Sequence, residues 1–167
     1  MTYKTIDLQV TERKATLTLH RPEAMNAMDF TMMRELAHCF ESLHHEKNVQ
    51  LLVIKGAGKV FSAGGDVKAM VQSTDASDFG HIMGDISRLV RAYYTLPMIT
   101  IAQIHGAAAG LGFSLALGSD IIVAEQSSKL AMNFIGIGLV PDGGGHFFMK
   151  ERLGTTKAKQ IIWQGKV

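Results

Sequence analysis

One carboxylate and two glycine turns have the means to do chemistry in this sequence. Asp142 stands between Pro141 and three glycines, Gly143, Gly144 and Gly145, directly after the apolar run FIGIGLV. A turn that only reverses the chain needs one or two permissive residues. Three in a row let backbone approach another group closely, or open a helix whose first N–H groups face a ligand. Two further glycine turns follow apolar strands, FSAGGD (Phe61–Asp66) and HGAAAGLG (His105–Gly112). Each can present a free backbone N–H, and two such donors converging on one point stabilise negative charge on a carbonyl oxygen. The same glycines would serve two tight turns at strand ends, and Asp142 would serve as a helix cap.

Other chemistries lack their spacing. GFSLA around Ser114 is half a nucleophile elbow, with Ala116 where GxSxG requires glycine. A serine hydrolase using Ser114, with His105 or His146 as base and Asp120 or Asp142 as orienter, stays open as an alternative. Against it, Ser114 falls inside a helical run of small residues rather than on a strained turn. There is no GxxxxGK[ST] segment and no dinucleotide-binding glycine fingerprint, and His44-His45-Glu46 lacks a second histidine at zinc-ligand spacing. No metal and no separate cofactor are expected.

The elements that must position these residues alternate between strand and helix. ATLTLHRP reads as the first strand, stopped by Pro22. From Asp29, a candidate N-cap, the period becomes helical, with Met32, Met33, Leu36, Phe40 and Leu43 on one face. LLVI (51–54) and IIVAE (121–125) read as fully buried strands. QSTDASD (Gln72–Asp78) reads as an exposed loop before a helix carrying Ile82, Ile86, Leu89, Val90 and Tyr93. MITIAQIHG reads as a strand that feeds a small-residue helix in AAAGLGFSLALGSD, and TTKAKQIIW starts a last helix at Thr155 or Thr156. The alternation predicts an α/β fold in one domain over residues 1–167.

Bulk composition narrows the partners. A 167-residue chain with 47% hydrophobic and 19% charged residues can bury a sizeable core. Its 17 basic and 15 acidic residues leave a formal charge of +2, which predicts neither nucleic acid nor an anionic membrane as partner. The single cysteine, Cys39, and the absence of a signal-like or spanning apolar segment predict a cytoplasmic protein.

Read in order, RPEAMNAM (21–28), KVFSAGGDVKAM (59–70), IHGAAAGLGFSLALGSDIIVA (104–124) and GIGLVPDGGGHFFMKERLG (136–154) resemble the signature segments of the enoyl-CoA hydratase/isomerase, or crotonase, superfamily. The resemblance implies a spiral of ββα units that binds an acyl-CoA thioester, coenzyme A entering as part of the substrate. It implies Gly65 and Leu111 as the backbone donors to the thioester oxygen. It places Ala24, Met25, Ala27, Ala63, Gly64, Gly65, Asp66 and Val67 against coenzyme A, and Phe134, Leu139 and His146 around the acyl group. Family members continue through further helices, so the chain is expected to be the N-terminal part of a longer protein that forms trimers or paired trimers.

The pattern departs from the hydratases at two positions. Where they carry two glutamates, this chain has Ser114 and Phe134, neither of which is a carboxylate base. Asp142 resembles the later acidic residue of the superfamily's isomerases, among which ring-epoxide isomerases of the phenylacetate pathway share the AAAG and GLVPD character. The resemblance therefore implies an isomerase with Asp142 as proton shuttle. The alternatives are a hydratase with an atypical base and a non-catalytic CoA-binding or assembly subunit.

Overall fold

The computed structural model describes residues 2–72 and 76–167. Its frame is a five-stranded sheet in the order β1-β2-β3-β4-β6. Strand β1 (Ile6–Thr11) pairs antiparallel with β2 (Lys14–Leu19), and β3 (Leu51–Gly56), β4 (Ile99–Ile104) and β6 (Ile121–Ala124) then add in parallel. A second, two-stranded sheet joins β5 (Ala107–Ala109) to β7 (Lys129–Ala131). Ser62 and Ala108 form a bridge beside that pair.

Helix α1 (Phe30–Leu43) starts where the sequence places it: the Asp29 carboxylate accepts from the Met32 N–H at 2.8 Å. It packs with α3 (Ala76–Tyr94) on one face of the sheet. There Leu17, Leu19, Leu52, Ile54, Ala102 and Ile104 are buried, because strand side chains alternate faces and this face meets the apolar stripes of both helices. Helix α3 begins inside the stretch expected to be a loop; residues 73–75 of that stretch lie outside the described residues. A short helix, α2 (Val67–Gln72), follows the first glycine turn.

Several sequence expectations change here. LLVI and IIVAE are not fully buried strands: Leu51 and Val53 are half-buried, while Ile121 and Val123 are 48% and 54% exposed, because β6 is an edge strand and helices cover one face only. β1 precedes the strand expected to be first. Its weak signal reflects an edge position, with Ile6 buried and Val10 exposed. The AAA segment is strand β5, and helix α4 (Gly110–Leu117) begins only at Gly110. Helix α5 (Gly145–Gln164) opens directly on the PDGGG turn and is broken at Gly154 (φ 74°, ψ 162°), upstream of the expected start at Thr155 or Thr156.

Among the described residues, no helix is long and apolar enough to cross a membrane.

Candidate active site

The first glycine turn is held by a buried asparagine. Asn26 adopts a left-handed conformation (φ 53°) and its amide nitrogen donates to the carbonyls of Ala57, Val60 and Phe61. Its side-chain oxygen accepts from the Arg21 N–H at 3.0 Å, and its carbonyl accepts from the Ser62 hydroxyl at 2.8 Å. Ser62 in turn accepts from the Gly64 N–H. Every polar group of this knot has a partner, which is what burial requires. Neither Asn26 nor Ser62 was singled out from the sequence, and an asparagine inside RPEAMNAM is the one hint available.

Strand-like pairing then aims the Gly65 amide. The Met28 N–H donates to Gly64 O and the Asp66 N–H donates to Met28 O, the pattern of a parallel bridge between Met28 and Gly65. In that pattern the Gly65 N–H points away from Met28. Gly64 sits at φ +104°, and a Cβ there would meet Ala109 O at 2.7 Å and the Leu111 nitrogen at 3.4 Å. Only glycine lets the two turns close to this separation. Leu111 lies in the first turn of α4, where N–H groups have no intrahelical acceptor. Among the described residues, neither the Gly65 nor the Leu111 amide has a hydrogen-bond partner.

Asp142 arrives from the opposite wall. Gly143 (φ +58°) lies so close to α4 that a Cβ would stand 2.3 Å from Leu111 Cδ1, and one on Gly145 would stand 2.3 Å from Ser114 Oγ. Gly143 and Gly145 therefore let the start of α5 lie against α4, while Gly144 makes room for the Phe148 ring of α5 itself. At the far end of this helix pair Arg152 donates to the carbonyls of Leu117 and Ser119, closing the contact on a helix C-terminus. A cavity of about 150 Å³ lies between the turns, bordered by Ala63, Gly64, Gly65, Val67, Leu111, Phe134, Leu139 and Asp142, with Met70, Gly110, Asn133 and Ile137 completing the wall. Asp142 Oδ1 is buried and accepts no hydrogen bond from the described residues. Burial pushes its carboxyl up to about 6, against a smaller opposing pull from its own backbone N–H.

Not every expected site residue meets at this cavity. His146 is exposed and borders a separate cavity between α3 and α5, because it lies beyond the turn at the helix start. Ala24 ends a 3-10 turn (Pro22–Ala24) and Met25 and Ala27 follow it, tied in by a bond from the Ala63 N–H to Met25 O. Asp66 is engaged elsewhere: it pairs with Arg21 at 3.1 Å and caps α2 by accepting from the Ala69 N–H. Burial would raise its carboxyl, but the N–H groups of Ala69 and Lys68 and the Arg21 guanidinium together hold it below the usual carboxylate range. Ser114 is fully buried within α4, its hydroxyl 3.3 Å from Gly110 O. His105 instead bonds the Gly58 carbonyl, so no histidine among the described residues is hydrogen-bonded to Ser114. Those residues also hold no group of three or more histidine, cysteine or acidic side chains that could bind a metal ion.

Two amides without acceptors and a buried carboxylate oxygen without a donor, on residues lining one small cavity, suit chemistry on a carbonyl compound with an acidic neighbouring C–H. The enoyl-CoA hydratase/isomerase family matches residues 11–167, and the chain belongs to that family. YhaR of Bacillus subtilis (strain 168), named for the same family, is 47% identical over 152 residues, covering 91% of this chain and 59% of its own length. The 1,2-epoxyphenylacetyl-CoA isomerase of Escherichia coli (strain K12) is 36% identical over 90% of this chain and 58% of its own. Relatives named for hydratase activity match as well. The crotonase fold is shared with an enoyl-CoA hydratase/carnithine racemase from Magnetospirillum magneticum, at a TM-score of 0.91 and 26% identity over 99% of this chain and 62% of that one. The chain thus spans about three fifths of the length of these relatives.

Proposed function

We propose that the protein is an acyl-CoA isomerase that works through a thioester enolate. The observation that carries this reading is the buried Oδ1 of Asp142, which has no hydrogen-bond donor among the described residues, in a residue that lines the same cavity as Gly65 and Leu111, with Ser114 and Phe134 at the positions where the resembling hydratases carry glutamates. The thioester oxygen of a 3-enoyl-CoA accepts from the two amides. The Asp142 carboxylate takes a proton from C2, the electron pair moves onto the thioester oxygen as a dienolate, and the same carboxyl returns the proton to C4. The double bond then lies between C2 and C3, and no water is consumed. Each amide donor contributes ~10²–10³ in rate and the positioned base ~10²–10⁴.

A carboxyl near 6 suits the shuttle, being mostly ionised at pH 7 yet basic enough to hold the proton between steps. The relationship to a named isomerase supports the reading, while hydratase-named relatives keep water addition as the reaction to test against. Products from 3-enoyl-CoA and from 2-enoyl-CoA decide between them. Interconversion of the two without a 3-hydroxyacyl product is expected. Rapid hydration of 2-enoyl-CoA would overturn the reading in favour of an atypical hydratase, and binding without turnover would favour a non-catalytic subunit.

A further inference from the structure

Among the described residues, every backbone N–H from Phe61 to Asp66 except that of Gly65 donates within the protein. Phe61 and Ser62 donate to the carbonyls of His105 and Ala107, Ala63 to Met25 O, Gly64 to Ser62 Oγ and Asp66 to Met28 O. The amide left over belongs to a residue of the cavity wall. Because the bonds on either side of it run to residues 25–28, the aim of the Gly65 N–H is only as fixed as that segment. The segment does not hold itself. Met25 and Asn26 are consecutive left-handed residues, at φ 52° and 53°, and two such residues side by side persist only where their surroundings enforce them.

The Asn26 side chain supplies that enforcement. It is fully buried and outside the cavity lining, with Nδ2 donating to the carbonyls of Ala57, Val60 and Phe61 at 2.8, 2.9 and 3.2 Å. Both hydrogens of the amide group are thus spent on the stretch of chain that leads into the first glycine turn. At the other end Oδ1 accepts from the Arg21 N–H while the Asn26 N–H donates to Arg21 O, a two-bond clasp. From this chain of contacts we propose that Asn26 is a positioning residue for the reaction: it fixes the direction of the Gly65 N–H, and so the strength of its hold on the thioester oxygen, without meeting the substrate. The role rests on the acyl-CoA reading above. Direction matters because an N–H···O bond weakens steeply as it bends, and more is lost when the oxygen carries the enolate charge than when it is a neutral carbonyl. Misaim therefore slows turnover more than it weakens binding.

The test compares the chain with three variants. Asn26→Gly tolerates the left-handed backbone and removes only the side chain, and Ser62→Ala removes the hydroxyl that joins Asn26 O to the Gly64 N–H. Glu35→Gln is the control, since it weakens bonds to the Lys4 and Thr5 N–H groups outside the turns. The readout is the carbonyl stretch of bound butyryl-CoA, isotope-labelled at the thioester carbon, in infrared difference spectra, because hydrogen bonds to a carbonyl weaken its C=O bond and lower its frequency. Asn26→Gly is expected to move the band partway back toward that of the free thioester, and to lower kcat for 3-enoyl-CoA by ~10-fold or more with KM within about threefold. Ser62→Ala should shift the band the same way by less, and Glu35→Gln should leave it in place. A folded Asn26→Gly that keeps the wild-type band overturns the role, as does an equal shift in Glu35→Gln. If Asn26→Gly does not fold, Ser62→Ala decides: a shifted band upholds the role and an unmoved one overturns it. A wild-type band at the free frequency overturns the donor pair and the role of Asn26 with it. A lowered wild-type band that Asn26→Gly relaxes, without conversion of 3-enoyl-CoA, overturns the isomerase alone, and no binding of butyryl-CoA overturns both.

Discussion

Asp66 and Asp142 each sit in a glycine-rich turn, yet only Asp142 lines the cavity, and they could hardly be used more differently. Asp66 follows its glycines, accepts from the Ala69 N–H and pairs with Arg21, which also reaches Asp29 at 3.4 Å. Asp142 precedes its glycines and has a buried oxygen with no donor. The order matters physically. A carboxylate after the turn, at a helix start, collects the orphan N–H groups of that helix, whereas one before the turn is carried past them and faces the cavity. A satisfied carboxylate stiffens the frame, and an unsatisfied one remains available as a base.

The largest effect that could break this contrast is on turnover. Asp142→Asn is expected to lower conversion of 3-enoyl-CoA by ~10²-fold or more with acyl-CoA binding retained, while Asp66→Asn lowers it only as far as the frame loosens. Equal losses in steady-state assays of both variants would erase the distinction. Next comes stability, where the signs should oppose. Asp66→Asn breaks a partly buried ion pair and is expected to cost ~1–2 kcal/mol in urea unfolding at pH 7.

Asp142→Asn should instead stabilise. The raised carboxyl favours the folded state below the unfolded value of 3.8, and that contribution is lost as pH rises through about 6. Removing the charge therefore gains about 1 kcal/mol at pH 7.5, once partial solvent screening is allowed for, and the gain fades as pH falls toward 4. Carbon-detected NMR titration sharpens the point: Asp142 should titrate near 6 and Asp66 below the ordinary carboxylate range. The smallest effect belongs to Ser114→Ala. Losing one long hydrogen bond to Gly110 O should change stability by ~0.5 kcal/mol and turnover by less than twofold. A large loss there would return the serine to consideration.

Much of this contrast is local, and so it is legible in the sequence. Asp29 before a 3.6-residue period announces α1, and glycines after apolar runs announce the turns. What the sequence hides depends on what lies opposite. LLVI and IIVAE have the same composition whether one face or both are covered, so their exposed faces could not be read. β7, only three residues long, carries no periodicity. His146 is expected beside the acyl group, yet the helix start turns it to another cavity. The Asn26 knot joins residues more than thirty positions apart, and no local pattern encodes it.

The pairing of α4 with α5 has a mechanical consequence. The helices touch through glycine at one end and are strapped by Arg152 at the other, like tongs with a hinge pin. Arg152 is exposed and lies about 10 Å along the helix axis from Gly145. That strap fixes one end of α4 while Leu111, at its other end, forms part of the cavity wall. A residue outside the cavity lining therefore helps hold that wall in place.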